Sequence, residues 1–176
     1  MAGSNVIPEL TTNFMVYGED NAFLGVANVE LPEIAPMTTT VSGAGIAGEV
    51  EVPVLSHFGS MTVKLQWRQV TPEVARLAKP TSHELVLRTA LQSRDATTLQ
   101  TVTKSLRIAL RSMPKSISLG TLEAGATTDT ETELEVAYFK MEIDGKEMVE
   151  IDKFNFKASF EGDNTLDEVK QALGMS

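Results

Sequence analysis

Two histidines, His57 and His83, and a few closely spaced acids are the residues of this chain whose types could carry out chemistry. Glu147, Glu150 and Asp152 could supply an acid pair for hydrolysis, work that needs two carboxylates in unlike environments. Glu150 and Asp152 share one face of a strand pattern, yet nothing beside them marks a substrate cleft. His57 stands next to Phe58 and Gly59, His83 near Pro80 and Ser82, and no serine lies in a nucleophile-elbow context. Asp129-Thr130-Glu131-Thr132-Glu133 resembles calcium-loop spacing, but the place such a loop reserves for glycine is Leu134. Gly43-Ala44-Gly45-Ile46-Ala47-Gly48 matches the G-x-G-x-x-G dinucleotide pattern letter for letter. That pattern works only between a strand and a helix, whose N-terminus holds the pyrophosphate. Here Glu49-Val50-Glu51-Val52-Pro53 follows, a strand pattern whose two acids would repel a phosphate, so the glycines read as a turning loop. Zero cysteines remove disulfides, thiolate nucleophiles and cysteine-bound zinc. No catalytic, metal or cofactor constellation can be assembled, and an enzyme is not expected.

What positions these residues is a chain of one domain's length. At 176 residues, 42% hydrophobic and 22% charged, it has the composition of a globular protein with a real core, and residues 1–176 read as a single domain. Lysine and arginine total 15 against 24 acids, which gives a net charge of −9. A free-standing nucleic-acid binder needs the opposite sign. The stretch Ile34 to Gly48 is uncharged but too short and polar to cross a bilayer, and Met1 to Pro8 lacks the regions of a secretory signal. A soluble chain folding in the cytoplasm of its producing cell is expected.

Alternation with period two dominates. Asn13–Tyr17 and Phe23–Leu31 read as strands around a Gly18-Glu19-Asp20-Asn21 turn. Gly43 to Leu55 opens with glycines and then alternates, Val50, Val52 and Val54 on one face and Glu49, Glu51 and Pro53 on the other. Proline cannot donate to a ladder, so this strand lies at an edge or ends there. Met61, Val63, Leu65 and Trp67 mark the clearest half-buried strand. Thr71-Pro72-Glu73 opens a helix that Pro80 must stop. Leu85, Leu87 and Leu91 mark another strand, and so do Leu106, Ile108 and Leu110. Glu131–Ile143 and Lys146–Phe160 read as long strands joined at Asp144-Gly145, and Thr165 to Glu168 as a capping box before a short helix ended by Gly174. Arg107, Arg111 and Lys115 read as partners for acids of a neighbouring subunit. The predicted fold is mainly β, two packed antiparallel sheets in a sandwich or barrel with a flanking short helix and a short C-terminal helix.

Several segments together carry a resemblance. They are Leu31-Pro32-Glu33, the run from Gly43 to Val54 leading into His57-Phe58-Gly59-Ser60-Met61, and Trp67-Arg68. Near the end come Tyr138-Phe139-Lys140, Ile143-Asp144-Gly145-Lys146 and Ile151-Asp152-Lys153-Phe154-Asn155-Phe156. In these the chain resembles the major tail tube proteins of contractile-tailed bacteriophages, from about Asn13 to Gly174; the aromatic expected after Phe156 is missing from Gly162-Asp163-Asn164.

The resemblance implies hexameric rings that stack into a hollow tube inside a sheath. Such a tube guides a tape measure protein and then DNA, is started by a baseplate initiator and closed by a terminator, and uses no cofactor. It implies a virion protein assembled in the bacterial cytoplasm, or the tube of a headless bacteriocin or type VI-like system. An extended assembly loop would span about 38–60, with Gly43, Gly45, Gly48, Glu49, Glu51 and Pro53 bridging subunits and rings. Ile151, Asp152 and Asn155 would fall on a strand near the subunit boundary, and Glu131 and Glu133 are candidate bore-lining acids. Six copies of −9 give −54 per ring, a repulsion toward DNA confined by physiological salt to roughly 8 Å. A ligand-binding β-sandwich and a hydrolase remain open on the residues alone.

Overall fold

Side chains that alternate between core and surface organise the computed structural model, which describes residues 5–175. The elements are β1 (Val6–Tyr17), β2 (Asn28–Glu30), β3 (Pro36–Ser42), β4 (Glu49–Phe58) and β5 (Thr62–Trp67). Helix α1 (Pro72–Leu77) follows, then β6 (His83–Asp95), β7 (Thr101–Ser118), β8 (Thr130–Ile143), β9 (Lys146–Asp152), β10 (Lys157–Phe160), β11 (Asp163–Asn164) and α2 (Asp167–Ala172). The protein is mainly β in two antiparallel sheets with two short helices, as expected.

The larger sheet runs β1-β6-β7-β8-β9-β10-β11 and branches at β8. The first half of β8, Thr130–Glu135, pairs with β5, and its second half, Tyr138–Ile143, pairs with β9. Beyond β5 lies β2. A Tyr17–Phe23 bridge and a Leu24 N–H donated to the Val16 carbonyl at 2.9 Å tie the chain before β2 back to β1. The sheet thereby nearly closes around its own apolar face, a barrel-like solution that leaves few bare edges.

Inside lie Val16, Met61, Val63, Leu65, Trp67, Leu85, Leu87, Ile108, Leu110, Leu134, Val136, Phe139 and Ile151, with Val74 and Leu77 of α1 added to the same cluster. Burying each such side chain is worth about 1.5–3 kcal/mol. The indole N–H of Trp67 donates to Thr132 Oγ1 at 3.1 Å, so the largest core residue buries no unpaired donor. Helix α1 has Pro72 at its first turn and ends at Leu77 before Pro80.

Three local readings change. The Gly18–Asn21 turn forms, with Asp20 and Asn21 at φ 57° and 56°, but it does not close a hairpin. Strand β1 begins at Val6 and pairs along its length with β6, while Phe23–Leu31 yields one bridge and the short β2. Gly25, at φ 65°, turns the chain away toward β5. Lys146–Phe160 is two strands, because Asp152 Oδ1 accepts the N–H groups of Phe154 and Asn155 at 3.2 and 3.0 Å and ends β9 in a turn. The capping box does not form: Thr165 donates to the Ala158 carbonyl at 3.1 Å, and α2 starts without a side-chain cap. Gly174, at φ 69°, does follow its end.

Strands β3 and β4 form the second sheet, a two-stranded arm spanning Pro36 to Phe58. Every residue of β3 and all of β4 up to Leu55 are exposed.

Candidate assembly surface

The arm gathers the residues around 38–60 on one projecting ribbon. Its register pairs Val41 with Val50, Thr39 with Val52 and Thr40 with Glu51. Met37, Thr39, Val41, Val50, Val52 and Val54 therefore share one face, and Thr38, Thr40, Ser42, Glu49, Glu51 and Pro53 the other. Val50 is 51% exposed, Val52 41% and Ile46 40%. An isolated two-stranded hairpin is marginal in water, and a contiguous bare apolar face marks a contact surface. Pro53 does not end β4; it is tolerated because both strands of a ribbon have a free edge. Gly43, Gly45 and Gly48 form the tip at φ 138°, 92° and 124°, with a strand and no helix after them. That context excludes the dinucleotide geometry. An added Cβ at any of the three would meet no atom within 4 Å, so the positive φ and not crowding calls for glycine there.

The other expected residues lie elsewhere. Ile151 is 1% exposed in its own chain's core. Asp152, buried at the end of β9, has Arg111 Nη2 at 3.2 Å from its carboxylate, and Asn155 sits in the following turn and not on a strand. Burial pushes the Asp152 carboxyl up, but hydrogen bonds from Asn155 and the nearby Arg111 outweigh it and hold the group below its ordinary range. Glu131 and Glu133 project from β8 on the face opposite buried Thr130 and Thr132. Glu133 is not free: Lys115 Nζ lies 3.1 Å away and Ser116 Oγ donates at 3.0 Å, and Lys115 leads the causes that lower its pKa.

That outer face carries a connected set of ion pairs. Arg107 meets Glu142 at 2.8 Å, Lys140 meets Glu147 at 3.0 Å and Glu142 at 3.4 Å, and Lys157 meets Glu150 at 2.7 Å. Tyr138 donates its hydroxyl to Glu150 at 3.1 Å, and the Arg111 guanidinium lies 4.4 Å over the Tyr138 ring. Glu150 is pushed up by burial and pulled below its ordinary value by Lys157 and Tyr138, whereas Glu142 is lowered chiefly by Arg107. Arg107, Arg111 and Lys115 thus pair with acids of their own chain, where the sequence suggested a neighbour's. Short-range cross-strand pairing satisfies them first. The three acids considered for hydrolysis, Glu147, Glu150 and Asp152, are all engaged by cations.

The histidines are far apart in role. His57 Nδ1 lies 2.9 Å from the exposed Leu55 carbonyl, while buried His83 places Nε2 3.0 Å from the Lys79 carbonyl and Nδ1 3.6 Å from Glu19. Among the described residues no three His, Asp or Glu side chains could hold a metal ion, and no helix is long and apolar enough to cross a membrane.

Comparison with known proteins agrees with this architecture. The tail tube protein of Escherichia phage P2 is 26% identical over 159 residues, covering 88% of this chain and 90% of its own. The fold is shared with a sheath/tube terminator of an extracellular contractile injection system in the extended state, at TM-score 0.53 and 16% identity, over 77% of this chain and 96% of that one. It is shared with a chain of that system's sheath-tube complex at TM-score 0.52 and 15% identity, over 77% and 91%. The family model for phage tail tube protein FII matches residues 8–174, and the chain belongs to that family.

Proposed function

We propose that this tail tube protein forms hexameric rings that stack into the inner tube of a contractile tail, the conduit for the tape measure protein and then DNA. The observation that carries the reading is the arm, because it exposes five apolar side chains and a threonine on one face that its own chain leaves uncovered. A second copy covering that face removes both its apolar surface and its open edges from water. Gly43, Gly45, Gly48, Glu49, Glu51 and Pro53 then act at contacts between subunits, and Asp152 and Asn155 near the subunit boundary. Ile151 supports that region from inside. The role is structural, and the protein is a component of the virion that assembles in the host cytoplasm. The sheath surrounds the tube, a baseplate complex starts it and a terminator closes it.

Glu131 lines the bore in this reading and keeps DNA from adhering, with Glu133 beside it paired to Lys115. Like charge raises the energy of a confined strand, and salt weakens the effect. The test is sedimentation and negative-stain microscopy of the purified protein over a concentration series, with and without an initiating baseplate complex. Rings or tubes are the expected result. A chain that stays monomeric at high concentration and is not incorporated with initiator present overturns the reading.

A further inference from the structure

The arm leaves the body through a bulge. Pro36 pairs with Phe58 at its root and Thr38 pairs with Pro53 just beyond, so Met37 alone stands opposite the four residues from Val54 to His57. Below the bulge the chain is fixed. The Phe58 ring packs against Phe160 with centroids 6.3 Å apart, Gly59 donates its N–H to the Ala35 carbonyl at 3.0 Å, and Lys153 Nζ donates to the Gly59 carbonyl at 2.7 Å. Within the bulge Ser56 stands at φ 53°, a left-handed conformation that is costly for a residue with a Cβ and persists only where something holds it. One group does so. Ser56 Oγ lies 2.5 Å from Thr165 Oγ1. Thr165 gives its only hydroxyl hydrogen to the Ala158 carbonyl at 3.1 Å, so Ser56 is the donor of the pair. Among the described residues, no other hydrogen bond joins residues 37–57 to the chain outside the arm. Beneath the bulge lies a cavity of about 150 Å³, with Ser56, His57, Phe156 and Leu166 in its wall, which leaves the bulge room to move.

We infer that the Ser56–Thr165 hydrogen bond is a latch that sets the angle at which the arm leaves the body. Latched, Ser56 is held in its left-handed conformation. Released, it relaxes to negative φ. That change falls at one residue inside a bulge with no ladder partner, so it swings everything beyond Pro53 about Met37. The arm is thus an element with two arrangements, and a residue 109 positions along the chain chooses between them. Thr165 leads into α2, none of whose residues is buried. Displacing that C-terminal segment therefore releases the arm without touching it. The device belongs to the single chain and is independent of what the arm later meets.

The chain has no cysteine, so a pair of spin labels reports cleanly. Labels at Thr40→Cys on the arm and Glu84→Cys on β6, both exposed positions, give the arm-to-body distance in the unassembled chain by double electron–electron resonance. The labelled parent should show one narrow distribution. Ser56→Ala and Thr165→Val should each shift its maximum and widen it about twofold or more, and the two together no further than either alone. Thr165→Ser, which keeps the hydroxyl, should retain the parent distribution. Ser56→Gly should behave as Ser56→Ala does, because glycine reaches the left-handed region freely but brings no hydroxyl. Thr165→Val also removes the bond to Ala158, so Ser56→Ala decides the matter if that variant does not fold. A parent distribution as broad as those of the variants, or one that Ser56→Ala leaves unchanged, overturns the latch. So does a Ser56→Gly chain that keeps the parent distribution, since the angle would then come from the backbone alone. None of these results bears on whether the chain builds tubes, which the concentration series decides.

Discussion

Replacing Val50 and Val52 by threonine should separate assembly from folding. The two side chains are 51% and 41% exposed in the single chain, and threonine keeps their shape and β-branching, so the arm and the monomer should be unchanged within about 0.5 kcal/mol. In an assembly that covers this face, each new hydroxyl is buried without a partner, which costs roughly 1–3 kcal/mol. Two sites give about 2–6 kcal/mol per added subunit, and at 1.4 kcal/mol per tenfold the threshold concentration rises about 30-fold at the least. Light scattering against concentration reads the threshold, and thermal unfolding of unassembled protein reads the fold. A threshold within threefold of wild type would show that this face stays in water. A monomer that unfolded early would show that the valines serve the single chain.

Three further outcomes concern the fold itself. Gly120 has φ +76°, and a Cβ there would lie 1.7 Å from the Thr128 carbonyl oxygen; Gly120→Ala should therefore cost about 2–4 kcal/mol in urea unfolding, and a change below 0.5 kcal/mol would refute the clash. Asp152→Ala strips partners from two backbone N–H groups, Asn155 and Arg111, and should cost about 2–4 kcal/mol, or about 5–15 °C in Tm; a variant as stable as wild type would mean the turn holds without it. Glu133, Glu142, Glu150 and Asp152 all sit below their ordinary pKa values when folded, so the unfolded chain takes up protons first as pH falls. Their stabilisation is complete above roughly pH 4–5 and is lost as pH drops through the folded values, and a urea midpoint at pH 3 equal to that at pH 7 would contradict this.

The strands were legible wherever one face is buried. Met61, Val63, Leu65 and Trp67 alternate with polar residues because β5 has core on one side only, and that local rule carries its own evidence. The start of β1 was not legible, since Pro8-Glu9-Leu10-Thr11 lies at a sheet edge with irregular register and buries nothing regular. The break after β9 depends on a carboxylate turning back to its own backbone, which strand alternation through Glu150 and Asp152 conceals. The arm is readable as one segment, because glycines and an exposed alternation are visible in order. Partners of Arg107, Arg111 and Lys115 are not, because cross-strand pairing joins residues 18 to 41 positions apart. Ile151 could not be told from an interface residue by spacing alone, since an apolar strand position suits either place.

The central claim is that copies of this chain cover one another's arms in building a tube, and a cryo-electron microscopy reconstruction of the assembled protein tests it most directly. The account predicts six subunits per ring, the Val50 and Val52 face buried between copies, and Glu131 in the wall of an open bore. A polymer whose arms project into solvent, or a particle with no axial channel, would contradict it.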